Sequence, residues 1–132
     1  MNTLNPIWTL RAQAVLRIVT GYLFLLHGSA KLFALPHVAM FDGLQLFSLM
    51  GVAGLLELVG GFLVMIGLWT RPVAFVLSGM MAVAYFMAHA SLATVHLPLL
   101  NGGEPAALFS FIFLFLAAAG AGCWSVDTRR SA

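Results

Sequence analysis

His27, Lys31 and Glu57 are the residues of this chain best suited to chemistry, because each interrupts a long apolar run. Ionisable side chains at membrane depth are rare, face a protein interior or a cavity, and need partners. An imidazole, an ammonium and a carboxylate at one level can hydrogen-bond a ligand carbonyl, compensate a charge and exchange a proton. Glu57, His27 and Lys31 are therefore the candidate catalytic group. His27, Lys31, Tyr85, His89 and Glu104 are the candidate cofactor-binding group, because a helical reading brings them to one half of the molecule.

The helix that carries two of these residues must have one greasy side and one side that needs partners. On a helix, His27 and Lys31 stack one turn apart. At about 100° per residue, Arg17, Thr20, Gly21, Gly28 and Lys31 fall on one arc, with His27 at its edge. The opposite arc is Leu, Ile, Val and Phe. Glu57 sits in LLELVGG, flanked by Gly54, Gly60 and Gly61. Glycines at this density let helices approach closely. At 1.5 Å per residue, His27 lies about 10 Å and Glu57 about 15 Å from the same end of their helices. A Glu57 contact with His27 or with Lys31 is expected. Arg17 is the outlier, near the opposite end, where its long stem can snorkel to the membrane surface.

The 132 residues are 62% hydrophobic and 8% charged, with a net charge of +2. A soluble domain carries about 25% charged residues. The composition therefore points to one all-α integral membrane domain over 1–132, a four-transmembrane-helix bundle. The spans are expected at about 12–34, 47–69, 72–92 and 104–124, each near the 20 apolar residues that a crossing needs. The first run resembles a secretory signal in having upstream arginines and small residues, but it continues through Leu32 and Phe33 and reads as a retained helix. Thr70-Arg71-Pro72 is expected as the tight connection between helices two and three, with Pro72 at a helix start. Arg11, Arg17, Arg71, Arg129 and Arg130 then fall on one side, which places both termini in the cytoplasm. Trp8, Trp69 and Trp124 fall at the same level.

Several classes are excluded or disfavoured. No basic stripe suggests nucleic acid. One cysteine, Cys123, excludes an intrachain disulfide and a multi-cysteine metal site. There is no G-x-G-x-x-G, Walker loop, C-x-x-C or H-E-x-x-H, and no metal is expected.

Three motifs carry a resemblance: LRIVTGYLFLLHGSAKLF at 16–33, LLELVGGFLVMIGLWTRPVA at 55–74 and GAGCWSVD at 120–127. Together they make the chain similar to the DoxX family of four-helix integral membrane proteins over about its whole length. The matching positions are Arg17, His27, Gly28, Lys31, Glu57, Gly60, Gly61, Gly67 and Arg71. The resemblance implies a multi-pass protein of a bacterial inner membrane that is linked to quinone and to membrane redox complexes. With one cysteine and no soluble redox domain, electron chemistry here would need a redox partner protein or a bound quinone. The partners expected are thus the lipid bilayer, a redox protein and further copies of the chain. Two other readings stay open: a non-catalytic scaffold or assembly subunit, and a small oligomeric transporter or pore.

Overall fold

The structure, a computed structural model, describes residues 6–130. All of its regular elements are helical. Helix α1 spans Pro6–Phe33, α2 Leu49–Ile66 and α3 Thr70–Ala84, which continues as a π-helical turn over Tyr85–His89. Helix α4 is a single turn at Pro98–Asn101, α5 spans Glu104–Ala119 and α6 spans Val126–Arg130. A 3-10 turn at Ala39–Phe41 sits in the connection after α1. Among the described residues, three segments are long and apolar enough to cross a membrane: Pro6–Phe33, Leu49–Ile66 and Thr70–His89. The 16 residues of α5 are apolar but fall short of that length.

Several boundaries differ from the sequence expectation for stated reasons. Helix α1 begins at Pro6 rather than near Ala12, as a proline with its missing N–H can open a first turn. The turn between α2 and α3 lies at Gly67 to Trp69, and Thr70-Arg71-Pro72 forms the first turn of α3. Gly67 stops α2 in a left-handed conformation (φ 71°). Its amide bonds the Val64 carbonyl at 3.0 Å and the Leu68 amide bonds Leu63 at 2.9 Å, a Schellman motif. Helix α5 ends at Ala119, not Trp124, because Gly120 and Gly122 take positive φ and the carbonyls of Gly120, Ala121, Cys123 and Trp124 are claimed by side chains of α1.

Helix α1 packs mainly on α2, and α3 mainly on α5. The α1–α2 contact is backbone on backbone. A Cβ at Gly21 would lie 2.5 Å from the Met65 nitrogen, and one at Gly28 only 2.3 Å from that of Leu58. One at Gly61 would meet the Leu25 nitrogen at 2.6 Å. Such approach is open only to glycine and is the membrane form of helix–helix adhesion. Gly60 faces the other way, onto Leu77 of α3. Phe24, Val64, Leu77, Phe113 and Leu116 join all four long helices in one core. Helix α5 returns from Gly103, set against the Tyr85 ring, to Gly120, set against Arg71.

The end of the bundle near Arg17 is tied by charge. Arg17 does not snorkel; it is fully buried. Its Nε donates to the Ala121 carbonyl at 2.8 Å, and Nη1 to Val64 at 2.8 Å and to Met65. Its Nη2 donates to Trp124 at 2.8 Å and to Cys123 at 3.4 Å. Beside it, Gln13 Nε2 donates to Gly120 at 2.7 Å. The last carbonyls of α2 are otherwise without helical donors, and a cation at a helix C-terminus is favoured by the dipole. Asp127 completes the knot by accepting from the Trp69 and Thr70 amides, each at 2.8 Å. Trp8, Trp69 and Trp124 are all exposed and belong to segments joined here, as an aromatic belt requires.

Two tests follow from this knot. Arg17→Met removes a donor from five buried or part-buried carbonyls, of which Val64 keeps the Gly67 amide, and should lower stability by about 3–5 kcal/mol, read as thermal unfolding in detergent. The Asp127 carboxyl is pushed up by burial, but hydrogen bonds from Thr70 and Trp69 and the charge of Arg130 draw it below the ordinary carboxylate value. A group with a lowered folded pKa stabilises fully above its unfolded value, near 4, and loses that contribution as pH falls through the folded one. Melting temperature should therefore drop on acidification below about pH 4, and Asp127→Asn should flatten that step.

Candidate functional site

The α1–α2 glycine contact places Lys31 over Gly54, with a Cβ at Gly54 only 3.1 Å from the Lys31 Cβ. Glu57 follows Gly54 by three residues and so lies on the same face of α2. Lys31 Nζ donates to Glu57 Oε1 at 2.7 Å. Both side chains are deeply buried, 8% and 7% exposed. The Phe41 ring lies 5.4 Å from Nζ, within reach of a cation–π contact. Glu57 Oε2 is buried and accepts no hydrogen bond among the described residues. A carboxylate oxygen left in this state retains acceptor capacity for a donor brought from outside.

His27 stands beside this pair and does not join it. Its Nδ1 lies 2.9 Å from the Leu23 carbonyl of its own helix. A carbonyl only accepts, so Nδ1 carries the proton, and Nε2 of the neutral ring is an acceptor. The ring is exposed and lies near Phe24 and Phe109, with centroids 6.4 and 6.3 Å away. His27 lines a hollow of about 240 Å³ with Leu26, Ala30, Pro36, Met40 and Phe41. Phe41 thus touches both the hollow and the Lys31–Glu57 pair.

The remaining sequence candidates lie elsewhere. Tyr85 is buried, donates from its hydroxyl to the Val95 carbonyl at 2.7 Å and accepts from Asn101 Nδ2 at 3.2 Å. His89 Nδ1 lies 3.2 Å from the Asn101 carbonyl. Asn101 also donates to Thr94 at 3.0 Å and accepts from the Gly103 amide at 2.8 Å. These groups brace the loop between the π turn and α5. Glu104 is exposed at the start of α5 and lines a separate shallow hollow with Pro98 and Phe111. The six residues therefore divide into three places: the α1–α2 pair with His27 alongside, the Tyr85–His89–Asn101 brace, and Glu104. Asn101 was not singled out by sequence reasoning, although Asn-Gly-Gly before a helix is a turn signal of the kind that needs a side-chain anchor. His37, in the connection after α1, is exposed, and its Nε2 lies 2.9 Å from Asp42 Oδ1.

The DoxX family model matches residues 12–90, from α1 through the π turn. The chain belongs to the DoxX family. A protein of Haemophilus influenzae described as uncharacterized is 43% identical over 119 residues, covering 88% of each chain. No solved structure matches the chain. The family match contains Arg17, His27, Lys31, Glu57, Arg71, Tyr85 and His89, whereas Glu104 lies beyond it.

The pair is open to a double-mutant test. Removing one member of a buried pair strands the other charge and costs about 3–5 kcal/mol, whereas replacing both with apolar groups is often close to neutral. Lys31→Met should destabilise strongly, and Lys31→Met with Glu57→Leu should recover most of that loss in thermal unfolding. A double variant destabilised by the sum of the two single losses would show that the charges are not coupled.

Proposed function

We propose that this DoxX-family chain is a quinone-interacting subunit of a redox system in a bacterial inner membrane. The observation that carries the reading is the hollow lined by His27 and Phe41, set against the Lys31–Glu57 pair, whose buried Oε2 accepts no hydrogen bond among the described residues. Such a place offers what a quinone headgroup needs, apolar walls with a few polar groups. A bound quinone supplies two-electron, two-proton redox chemistry. The chain's own part is to hold and to relay protons. His27 Nε2 accepts from a hydroxyl, Lys31 holds the charge of Glu57, and Glu57 passes a proton on. A redox partner protein would take up the electrons. In this reading α5 is the fourth crossing, since it joins the same two ends of the bundle as the other three. The arginine-bearing end faces the cytoplasm, with both termini there.

A second reading is favoured by a different observation. Lys31 is already closed on Glu57 at 2.7 Å, and Tyr85 and His89 are engaged with their loop. In a non-catalytic assembly subunit these groups would lock the helices and present a surface to a partner.

The two readings separate in one experiment. Detergent-purified protein is extracted with organic solvent and its quinone measured, for the wild type, His27→Ala and Glu57→Gln. Quinone in the wild-type extract, reduced several-fold in both variants at unchanged melting temperature for His27→Ala, is the expected outcome. Absence of quinone from the wild type, with quinol oxidation by membranes unchanged in Glu57→Gln, would sink the redox reading. Loss of a co-purifying protein in its place would establish the assembly role.

A further inference from the structure

Two hollows at the Arg17 end play no part in the reading above. One has about 600 Å³ and is lined by Arg71, Thr128 and Arg130 among others. The second, about 330 Å³, is lined only by apolar and glycine residues of α2 and α3 apart from Trp69 at its mouth. Both are lined by Trp69 and Pro72, so the cationic hollow and the apolar one are neighbours.

The charged hollow is built. Arg71 Nη1 donates to the Ala118 carbonyl at 2.7 Å, which fixes the fork and leaves its other N–H groups for a ligand. Gly120 makes room for that fork, since a Cβ there would sit 3.3 Å from Nη2. Asp127, the one carboxylate among the described residues of the lining, is turned onto the Trp69 and Thr70 amides. Two guanidinium groups therefore face one engaged carboxylate, and the hollow is cationic. The apolar groove exists because α2 and α3 meet far less closely than α1 and α2 do. Its α2 wall, Leu56 to Leu63, runs about 10 Å along the helix. The indole of Trp69 is exposed where the two hollows adjoin, at the level where aromatic rings mark a membrane interface.

We propose that these neighbouring hollows bind one anionic phospholipid, with its phosphate between Arg71 and Arg130 and an acyl chain in the α2–α3 groove. The charge selects the headgroup, because guanidinium forks bind phosphate oxygens in paired hydrogen bonds. The groove selects a lipid over a free phosphate, because an inorganic ion has nothing to place against Val59, Leu63 and Val76. Trp69 then lies beside the glycerol region, where an amphipathic ring is at home. A lipid seated here would fill the wedge between the α1–α2 and α3–α5 pairs.

The test is native mass spectrometry of the full chain released from detergent with equal phosphatidylglycerol and phosphatidylcholine. The wild type should retain phosphatidylglycerol at least about fivefold in excess, the scale expected for one basic residue at a membrane surface. Arg130→Gln changes an exposed residue of a short terminal helix and spares the fold; it should reduce that preference several-fold. Arg71→Gln with Arg130→Gln should abolish it. Val76→Trp fills the groove from its lipid-exposed side and should lower retention of both lipids. Equal retention of the two lipids by the wild type would overturn the proposal. So would a preference untouched by Arg130→Gln and the double variant. Inorganic phosphate that displaces phosphatidylglycerol at millimolar concentration, with no effect of Val76→Trp, would also overturn it in favour of a simple anion site.

Discussion

A buried guanidinium organises one whole end of this protein. Among the described residues, the donors of Arg17 go to main-chain carbonyls of the α2 C-terminus and of the segment after α5. A charge in an apolar setting persists only if its donors are satisfied and compensating charge is near. The α2 C-terminal dipole supplies part of that compensation, and Asp127, fixed to the start of α3, supplies more. Three chain segments far apart in sequence must therefore be in place together. The glycine turn at Gly67, the early end of α5 and the short α6 are all shaped by this demand.

The opposite end follows from a different constraint, the distance between backbones. Gly21, Gly28, Gly54 and Gly61 recur at intervals of seven within each helix and bring α1 and α2 nearly into backbone contact. At such separation the long side chains of Lys31 and Glu57 cannot avoid each other, and their ion pair closes in a nearly dry space. No comparable glycine seam joins α2 to α3. There the surface of α2 offers bulkier side chains, the helices diverge, and a groove opens to the membrane. The same molecule thus has a tight seam and a loose one, set by where the glycines fall.

The DoxX resemblance, the helical membrane character and the Lys31–Glu57 partnership were all legible in the residues. Composition alone rules out a water-facing shell, and an isolated carboxylate and ammonium in apolar helices at matching depth have few other choices. The arc of α1 that holds Arg17, Thr20, Gly21, Gly28 and Lys31 also marked which side turns inward. That arc was the available signal that Arg17 would be buried; weighing it against the length of the arginine stem alone favoured the surface. His27 sits at the arc's edge, and the structure leaves it exposed, bonded to its own helix. Helical spacing set Tyr85 and His89 one turn apart but could not show that Asn101 would bond to both.

The sequence by itself determined what is periodic and local: which segments are helical and apolar, which face of each helix carries glycine or charge, and which ends gather arginine and tryptophan. Those properties follow from residue type and from 3.6 residues per turn. Tertiary structure alone decided which carbonyls would receive Arg17, where α5 would stop, and that six polar residues at one level would form three separate groups. These outcomes depend on the lateral arrangement of helices, and helical period fixes depth along an axis without fixing which neighbour stands beside it. Lateral placement was settled by the glycine seam and by the need of one buried charge for its carbonyls.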